Sequence, residues 1–157
     1  PSTRYRMVDA NGLFQVSVPS NWKEFRDGSS VTFAPDGAYG NVQGQSVFTH
    51  GAIVGMVQAS SRDLARESDR FVSGVLDGNA YLNVNSRYQR LRIDGYEALR
   101  IRLTGTSPVT NRTEIVDVYT ALTERDELFT LIQVVPSNDQ RAYSAAFTQM
   151  VRSARVS

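Results

Sequence analysis

Residues 128–135 have the sequence Leu128-Phe129-Thr130-Leu131-Ile132-Gln133-Val134-Val135. Nearly every residue in this run is apolar, so the alternation of a strand with one face in water is absent. A strand of this kind is usually central, with both faces of its sheet covered. The run therefore predicts a layered fold with structure on each side of a sheet.

Further strands are predicted on the N-terminal side of this run, most of them with a period of two. They comprise residues 13–18, 31–34, 47–57, 88–93, 97–104 and 114–122. Gly51 and Gly55 within 47–57 indicate a bulge or a close approach of backbone. Residues 88–93 and 97–104 flank Asp94-Gly95-Tyr96 and predict a hairpin.

Two segments have the period of an amphipathic helix. The first covers residues 62–76, with Ser61 as its N-cap and Asp77-Gly78 as its stop. The second follows Asn138, and its apolar stripe lies at helical spacing. The stripe consists of Tyr143, Ala146, Phe147, Met150 and Val151. The predicted class is α+β: an α/β/α sandwich around a mostly antiparallel sheet of about seven to eight strands, with two main helices, in one domain over residues 1–157.

Three stretches carry a resemblance to a known fold. They are Phe14-Gln15-Val16-Ser17-Val18-Pro19-Ser20-Asn21-Trp22, the hairpin Ile93-Asp94-Gly95-Tyr96-Glu97-Ala98-Leu99, and the passage from 131–135 through Tyr143 and Phe147 to Met150-Val151-Arg152-Ser153. In these stretches and in the order of its elements, the chain resembles the PsbP/Mog-type superfamily. PsbP-like relatives assist photosystem assembly and Mog-type relatives bind a small GTPase, so the resemblance implies a role in protein binding.

A narrower resemblance concerns residues 30–38, Thr49-His50-Gly51 and Gly105-Thr106-Ser107-Pro108. These segments look like a domain that follows bacterial CAAX-protease-like zinc metallopeptidases. The H-E-x-x-H zinc motif of those enzymes is absent from this sequence. The resemblance implies a non-catalytic companion domain, excised from a longer chain that begins before Pro1, and it favours an exported or periplasmic location.

Composition removes several classes of function. The chain has 157 residues, 17 basic and 16 acidic, so its net charge of +1 gives no argument for nucleic-acid binding. It has no cysteine and one histidine, which excludes disulfides, thiolate metal sites and a multi-histidine metal centre. No apolar run is long enough to span a bilayer. We therefore expect a monomeric domain without metal or other cofactor and without catalytic residues.

The arginines of the predicted hairpin form the most informative cluster. A three-residue loop, Asp94-Gly95-Tyr96, would place Leu91 opposite Leu99, Arg90 opposite Arg100 and Tyr88 opposite Arg102. Arginines directly opposite each other repel unless a carboxylate lies between them. On the next predicted strand, Asp117 and Tyr119 lie at positions that face the same side of the sheet as these arginines. Two interpretations stay open: a solvated face with ordinary ion pairs, or a cationic patch of Arg90, Arg100, Arg102, Tyr88 and Tyr119 for an acidic partner or an anion.

His50 and a glycine-rich loop are the other candidate sites. His50 is expected within a strand, either as a hydrogen-bonded structural residue or as part of a ligand pocket. Residues 36–44 have the glycines of a phosphate-binding loop, but no lysine or helix start follows them, so a mobile surface loop is expected. Trp22 is expected to anchor its loop on the core.

Two functional hypotheses follow. The first is a non-enzymatic accessory or protein-interaction domain, whose partner is another protein or a peptidase domain of the same chain. The second is a small-molecule-binding or hydrolytic domain built around His50 and a neighbouring carboxylate. A pocket that holds both groups would favour the second, and a shallow surface of arginine and tyrosine would favour the first.

Overall fold

The computed structural model describes residues 1–42 and 45–156, and within them the chain forms twelve β-strands and two α-helices. The strands are β1 (Tyr5–Asp9), β2 (Gln15–Pro19), β3 (Lys23–Asp27), β4 (Ser30–Ala34), β5 (Tyr39–Val42), β6 (Gln45–Phe48), β7 (Gly51–Gln58), β8 (Asn83–Val84), β9 (Gln89–Ile93), β10 (Tyr96–Thr106), β11 (Thr113–Leu122) and β12 (Glu127–Pro136). The helices are α1 (Leu64–Gly78) and α2 (Gln140–Ser153), and a 3-10 turn, Ser137–Asp139, precedes α2.

The strand β12 lies at the centre of an antiparallel sheet, as its continuous apolar sequence predicts. The sheet has eight strands in the order β3-β4-β7-β12-β11-β10-β8, and β9 also pairs with β10. Phe129 and Leu131 are buried on one face of β12, and Leu128 and Val134 are buried on the other. The predicted α+β class, with a mostly antiparallel sheet and two helices, is confirmed.

One face of the sheet is covered by α2 together with a two-stranded ribbon of β1 and β2. The ribbon contacts the sheet through Phe14, whose ring meets that of Phe129 edge to face at 6.0 Å. Its contact with α2 includes the Ser17 backbone N–H, which donates to Ser153 Oγ at 2.8 Å. The strand predicted over residues 13–18 is present as β2, Gln15–Pro19, and it pairs with β1 outside the main sheet.

The other face is covered by α1. Val72 packs with Ile101, Leu103, Val116 and Val118 of β10 and β11. The helix begins two residues later than predicted, because the Asp63 side chain accepts the N-cap hydrogen bond from the Arg66 N–H. The helix α2 also differs from the prediction at its start, since the Asn138 side chain accepts from Arg112 at 2.9 Å and caps nothing.

The predicted strand 47–57 is two strands, β6 and β7, separated by a bend at Thr49 and His50. The prediction of a continuous strand was therefore wrong at His50. The bend follows from Gly51, whose φ is +131°, a conformation that only glycine adopts readily. A Cβ at Gly51 would lie 2.2 Å from the Phe33 carbonyl oxygen, so the expected close approach of backbone is confirmed.

Two segments outside the predicted strands contain strands. Within residues 36–44, Tyr39–Val42 forms β5, which pairs with β6, and Gln43 and Gly44 lie outside the described residues. Lys23–Asp27 forms β3, the edge strand of the main sheet. Its sequence, Lys-Glu-Phe-Arg-Asp, is almost entirely polar because edge strands carry charge that discourages further pairing.

The register of the arginine hairpin differs from the prediction by one residue. The loop has two residues, Asp94 and Gly95, with φ values of 51° and 81°, as a type I′ turn requires. Arg90 therefore pairs with Leu99, and Gln89 takes the place opposite Arg100. The prediction assumed that Leu91 shares a face with Leu99, which is wrong because both faces of this sheet are apolar and covered.

Candidate functional site

Arg100, Arg102 and Asp117 form a hydrogen-bonded cluster on the α2 side of the sheet. Arg102 binds Asp117 with both nitrogens of its fork, Nε to Oδ1 at 2.8 Å and Nη2 to Oδ2 at 2.9 Å. Arg100 Nη2 donates to the same Oδ2 at 2.8 Å. The strand register produces this arrangement, since Arg102 pairs with Asp117, and Arg100 pairs with Tyr119. The sequence predicted a carboxylate between Arg90 and Arg100. Asp117 instead joins Arg100 and Arg102, because Arg90 pairs with Leu99.

The cluster keeps a net positive charge because one carboxylate serves two guanidinium groups. Asp117 is buried, whereas the side chains of both arginines remain 28% exposed. The hydrogen bond to Asp117 raises the pKa of Arg102 further. Arg100 Nη1 donates to Gln89 Oε1 at 2.9 Å, and the Arg100 guanidinium carbon lies 5.9 Å from the centre of the Tyr119 ring. Both guanidinium groups are thus held in place before any partner arrives.

Two adjoining hollows on this surface meet at Arg100. One, of about 300 Å³, lies between β9, β11 and α2, and the other, of about 190 Å³, lies beside Arg102. We call them together the arginine groove. Its lining consists of Asn85, Ser86, Gln89, Arg90, Leu91, Arg100, Arg102, Tyr119, Thr148, Val151 and Arg152. No carboxylate stands among these lining residues, so the groove presents four arginines against the single buried Asp117.

The structure brings together three of the five residues predicted for this patch. Arg100, Arg102 and Tyr119 share one face. Arg90 pairs with Leu99, so the register places it on the α1 side, and it borders the groove only from the edge of the sheet at β9. Tyr88 lies on the opposite side of the sheet, where its hydroxyl donates to Asp69 of α1 at 2.8 Å. Burial and this hydrogen bond raise the pKa of Tyr88. The one-residue register shift explains the separation, because it moves Tyr88 to the other face.

Sequence reasoning missed the contribution of α2 to this surface. Thr148, Val151 and Arg152 complete the groove. Arg152 was assigned simply to the outer face of the helix. A periodic stripe shows which side of a helix faces the core, but it does not show which strands the rim of that helix lies beside.

His50 lies at the bend between β6 and β7, half-buried against α2. Its ring meets the Tyr143 ring edge to face at 5.6 Å, and its Nδ1 lies 2.8 Å from Thr49 Oγ1. The Thr49 hydroxyl donates its proton to the Ala38 carbonyl at 2.7 Å, so it must accept from His50 Nδ1–H. In this arrangement the imidazole does not act as a base toward Thr49, and His50 lines none of the hollows of the arginine groove.

The stability of the protein is expected to fall as pH falls below the ordinary histidine pKa of 6.5. Burial lowers the pKa of His50, against a smaller opposing effect of the Asp139 charge. As pH falls, His50 therefore binds a proton in the unfolded chain before it does so in the folded chain. The stability that is present at neutral pH is lost during acidification.

Urea unfolding at about pH 8 and about pH 6 measures this difference for wild type and for His50→Phe, which keeps a ring beside Tyr143. Because every carboxyl group is common to both proteins, the pH effect should be smaller in the variant. Equal pH effects in the two proteins would show that His50 does not titrate as described.

Two absences concern the residues that the structure describes. No group of three or more His, Asp or Glu side chains among them is placed to hold a metal ion. In the same part of the chain, no helix combines the length and the apolar character that crossing a membrane requires.

No protein-family model matches this sequence, and no curated protein matches it. Solved structures do match. The Ran-binding protein Mog1p of Saccharomyces cerevisiae aligns with a TM-score of 0.61 and 14% identity over 99% of this chain and 96% of its own. Cyanobacterial PsbP from Synechocystis aligns with a TM-score of 0.65 and 13% identity, over 100% and 95%. LpqN of Mycobacterium tuberculosis, a protein involved in cell envelope biogenesis, aligns with a TM-score of 0.57 and 12% identity over 96% of this chain and 89% of its own. These similarities show that the chain has the PsbP/Mog-like fold.

Proposed function

We propose that this domain is a non-enzymatic protein-interaction domain, and that its arginine groove binds an acidic segment of a partner protein. The observation that carries the proposal is the pair of guanidinium groups fixed on one buried carboxylate. Arg90 and Arg152 add two further cations at the rim, while Asp117 is already occupied. The fold adds support, since one of the proteins that share it, Mog1p, is described as Ran-binding.

The chemistry of the groove favours a carboxylate-bearing partner over an uncharged one. Fixed guanidinium forks bind carboxylates with paired, charge-assisted hydrogen bonds, and Arg100 and Arg102 are already oriented. Tyr119, Leu91 and Val151 supply an apolar floor beside the charges. A segment that alternates acidic and apolar side chains therefore matches the surface, and rim cations increase its rate of association at low salt.

The test is fluorescence anisotropy with a labelled peptide of alternating Glu and Leu, compared with one of alternating Gln and Leu. Arg100→Gln should weaken binding of the acidic peptide about tenfold, the value of one charge-assisted hydrogen bond. Arg102 continues to hold Asp117 in this variant, so the fold is retained. Arg66→Gln, an exposed position on α1, is the matched control and should leave binding unchanged.

Two results would contradict the proposal. One is equal binding of the acidic and neutral peptides by the wild type. The other is an equal loss of affinity in Arg100→Gln and Arg66→Gln. That result would show that the peptide responds to the overall charge of the domain and not to the arginine groove.

We also propose, from the sequence resemblance in residues 30–38, 49–51 and 105–108, that a peptidase domain of the same chain is one partner. The sequence encoded upstream of Pro1 tests this directly. An H-E-x-x-H helix there would support the proposal, and a different upstream domain would contradict it.

A further inference from the structure

An apolar trough runs along the other face of the sheet, beside α1. The helix packs over β10 and β11, and next to it a cavity of about 620 Å³ extends over strands β4, β7 and β12. A second cavity of about 200 Å³ continues inward. Both are lined by Ile53, Val75 and Ile132, so the two cavities adjoin at these residues. We call this space the α1 trough.

The inner end of the α1 trough contains a buried carboxyl group, that of Glu114. Glu114 is 3% exposed, and its Oε1 accepts a hydrogen bond from the Tyr81 hydroxyl at 2.6 Å. The Ser107 hydroxyl is a further hydrogen-bonding partner. None of the ion pairs formed by the described residues involves Glu114. Burial accordingly raises the pKa of this carboxyl above its ordinary value of 4.5.

An acidic residue is unexpected at this position of β11. Residues 114, 116 and 118 face the same side, and Val116 and Val118 belong to the core beneath α1. A buried carboxylate without a cation costs stability, and an uncharged amide would also accept a hydrogen bond from Tyr81. The fold thus carries a destabilising group at the end of a mainly apolar space.

We propose that the α1 trough is a binding site for an apolar molecule with a primary amine head, and that Glu114 is the counter-ion of the amine. An ammonium group provides the cation that Glu114 lacks and donates up to three hydrogen bonds. An alkyl or aromatic body covers Ile53, Val75, Ile132 and Phe71, which line the space outward from that end. A carboxylate head would instead meet a group of its own charge. The site lies on the opposite face from the arginine groove and is independent of the proposed function.

The experiment is a titration of the 15N-labelled protein, at about pH 8 and below the micellar range, with octylamine, octanoate and 1-octanol. Octylamine should shift the amide signals of residues along the trough and bind about tenfold more tightly than octanol, with octanoate weakest. Glu114→Gln should reduce the octylamine affinity to that of octanol. Arg141→Gln, at an exposed position of α2 on the other side of the sheet, should leave it unchanged. Equal affinities for the three probes, or shifts confined to other surfaces, would overturn the proposal.

The thermal stability of the free variant provides a second test. At about pH 8 Glu114→Gln should melt at a higher temperature than wild type, because it removes an unpaired buried charge. The sign follows from the raised pKa: the folded state retains the proton longer, so wild-type stability decreases as pH rises above 4.5. The difference between the two proteins should therefore vanish below that value. A variant that melts lower at about pH 8 would show that the carboxylate is a structural partner of Tyr81, and would overturn the proposal.

Discussion

Gly51→Ala is expected to destabilise the protein by at least about 3 kcal/mol. Gly51 has a φ of +131°, and the new Cβ would lie 2.2 Å from the Phe33 carbonyl oxygen and 3.1 Å from the Ala34 Cα. Both neighbours are backbone atoms of β4, which pairs with β7 in the sheet, so neither can move without breaking strand pairing. A domain of this size has a total stability of roughly 5–15 kcal/mol, so much of it would be lost.

Gly74→Ala is the matched control for this substitution. Gly74 lies within α1, its added Cβ would meet nothing within 4 Å, and its φ is not positive. The same chemical change should there increase the free energy of unfolding by about 0.5–1 kcal/mol, because alanine favours the helix. Urea titrations followed by circular dichroism measure both. Similar values for the two variants would mean that β4 and β7 do not approach each other as described.

Trp22→Ala is expected to reduce the free energy of unfolding by about 3–5 kcal/mol. Trp22 is 2% exposed and connects the segment after β2 to α2. Its ring lies 5.8 Å from the ring of Tyr143 and 6.3 Å from that of Phe147. The substitution removes the largest side chain in this cluster and leaves a cavity beside α2.

Trp22→Phe distinguishes packing from hydrogen bonding at the same position. The indole Nε1 is buried without a partner among the described residues, so phenylalanine loses no hydrogen bond and keeps most of the ring contact. Its loss should be clearly smaller than that of Trp22→Ala in chemical denaturation followed by circular dichroism. Equal losses from the two variants would indicate that aromatic packing does not account for the stability at this site.

The helices, the strands and the candidate site were predicted from the sequence to different extents. The helix α2 was predicted from its stripe, and Tyr143, Ala146 and Met150 are buried as expected, while Phe147 is only partly buried and contacts Trp22 and Tyr143. Edge strand β3 was missed because its charged residues have no apolar period. Arg100, Arg102 and Tyr119 were predicted as a group, since residues at matching positions of paired strands share a face.

The carboxyl of Glu114 illustrates a signal that was present and not used. Its position in β11 places it in phase with Val116 and Val118, so an inward-facing acid could be identified once the strand was predicted. The α1 trough could not be predicted, because an apolar strand has the same sequence whether the space above it is filled or open.

The layered class followed from the residues alone: a strand that is apolar on both sides needs two covering layers, and two amphipathic helices supply them. Local periodicity indicates which side chains share a face of a strand or helix, and it is a property of a few neighbouring residues. It does not state how strands from distant parts of the chain align. In the hairpin after Arg90, either register buries apolar residues, and the choice was made by the positive φ values of Asp94 and Gly95. The pairing of β2 with β1, the docking of α2 beside Arg100, and the open space over β7 likewise depend on packing between segments far apart in sequence.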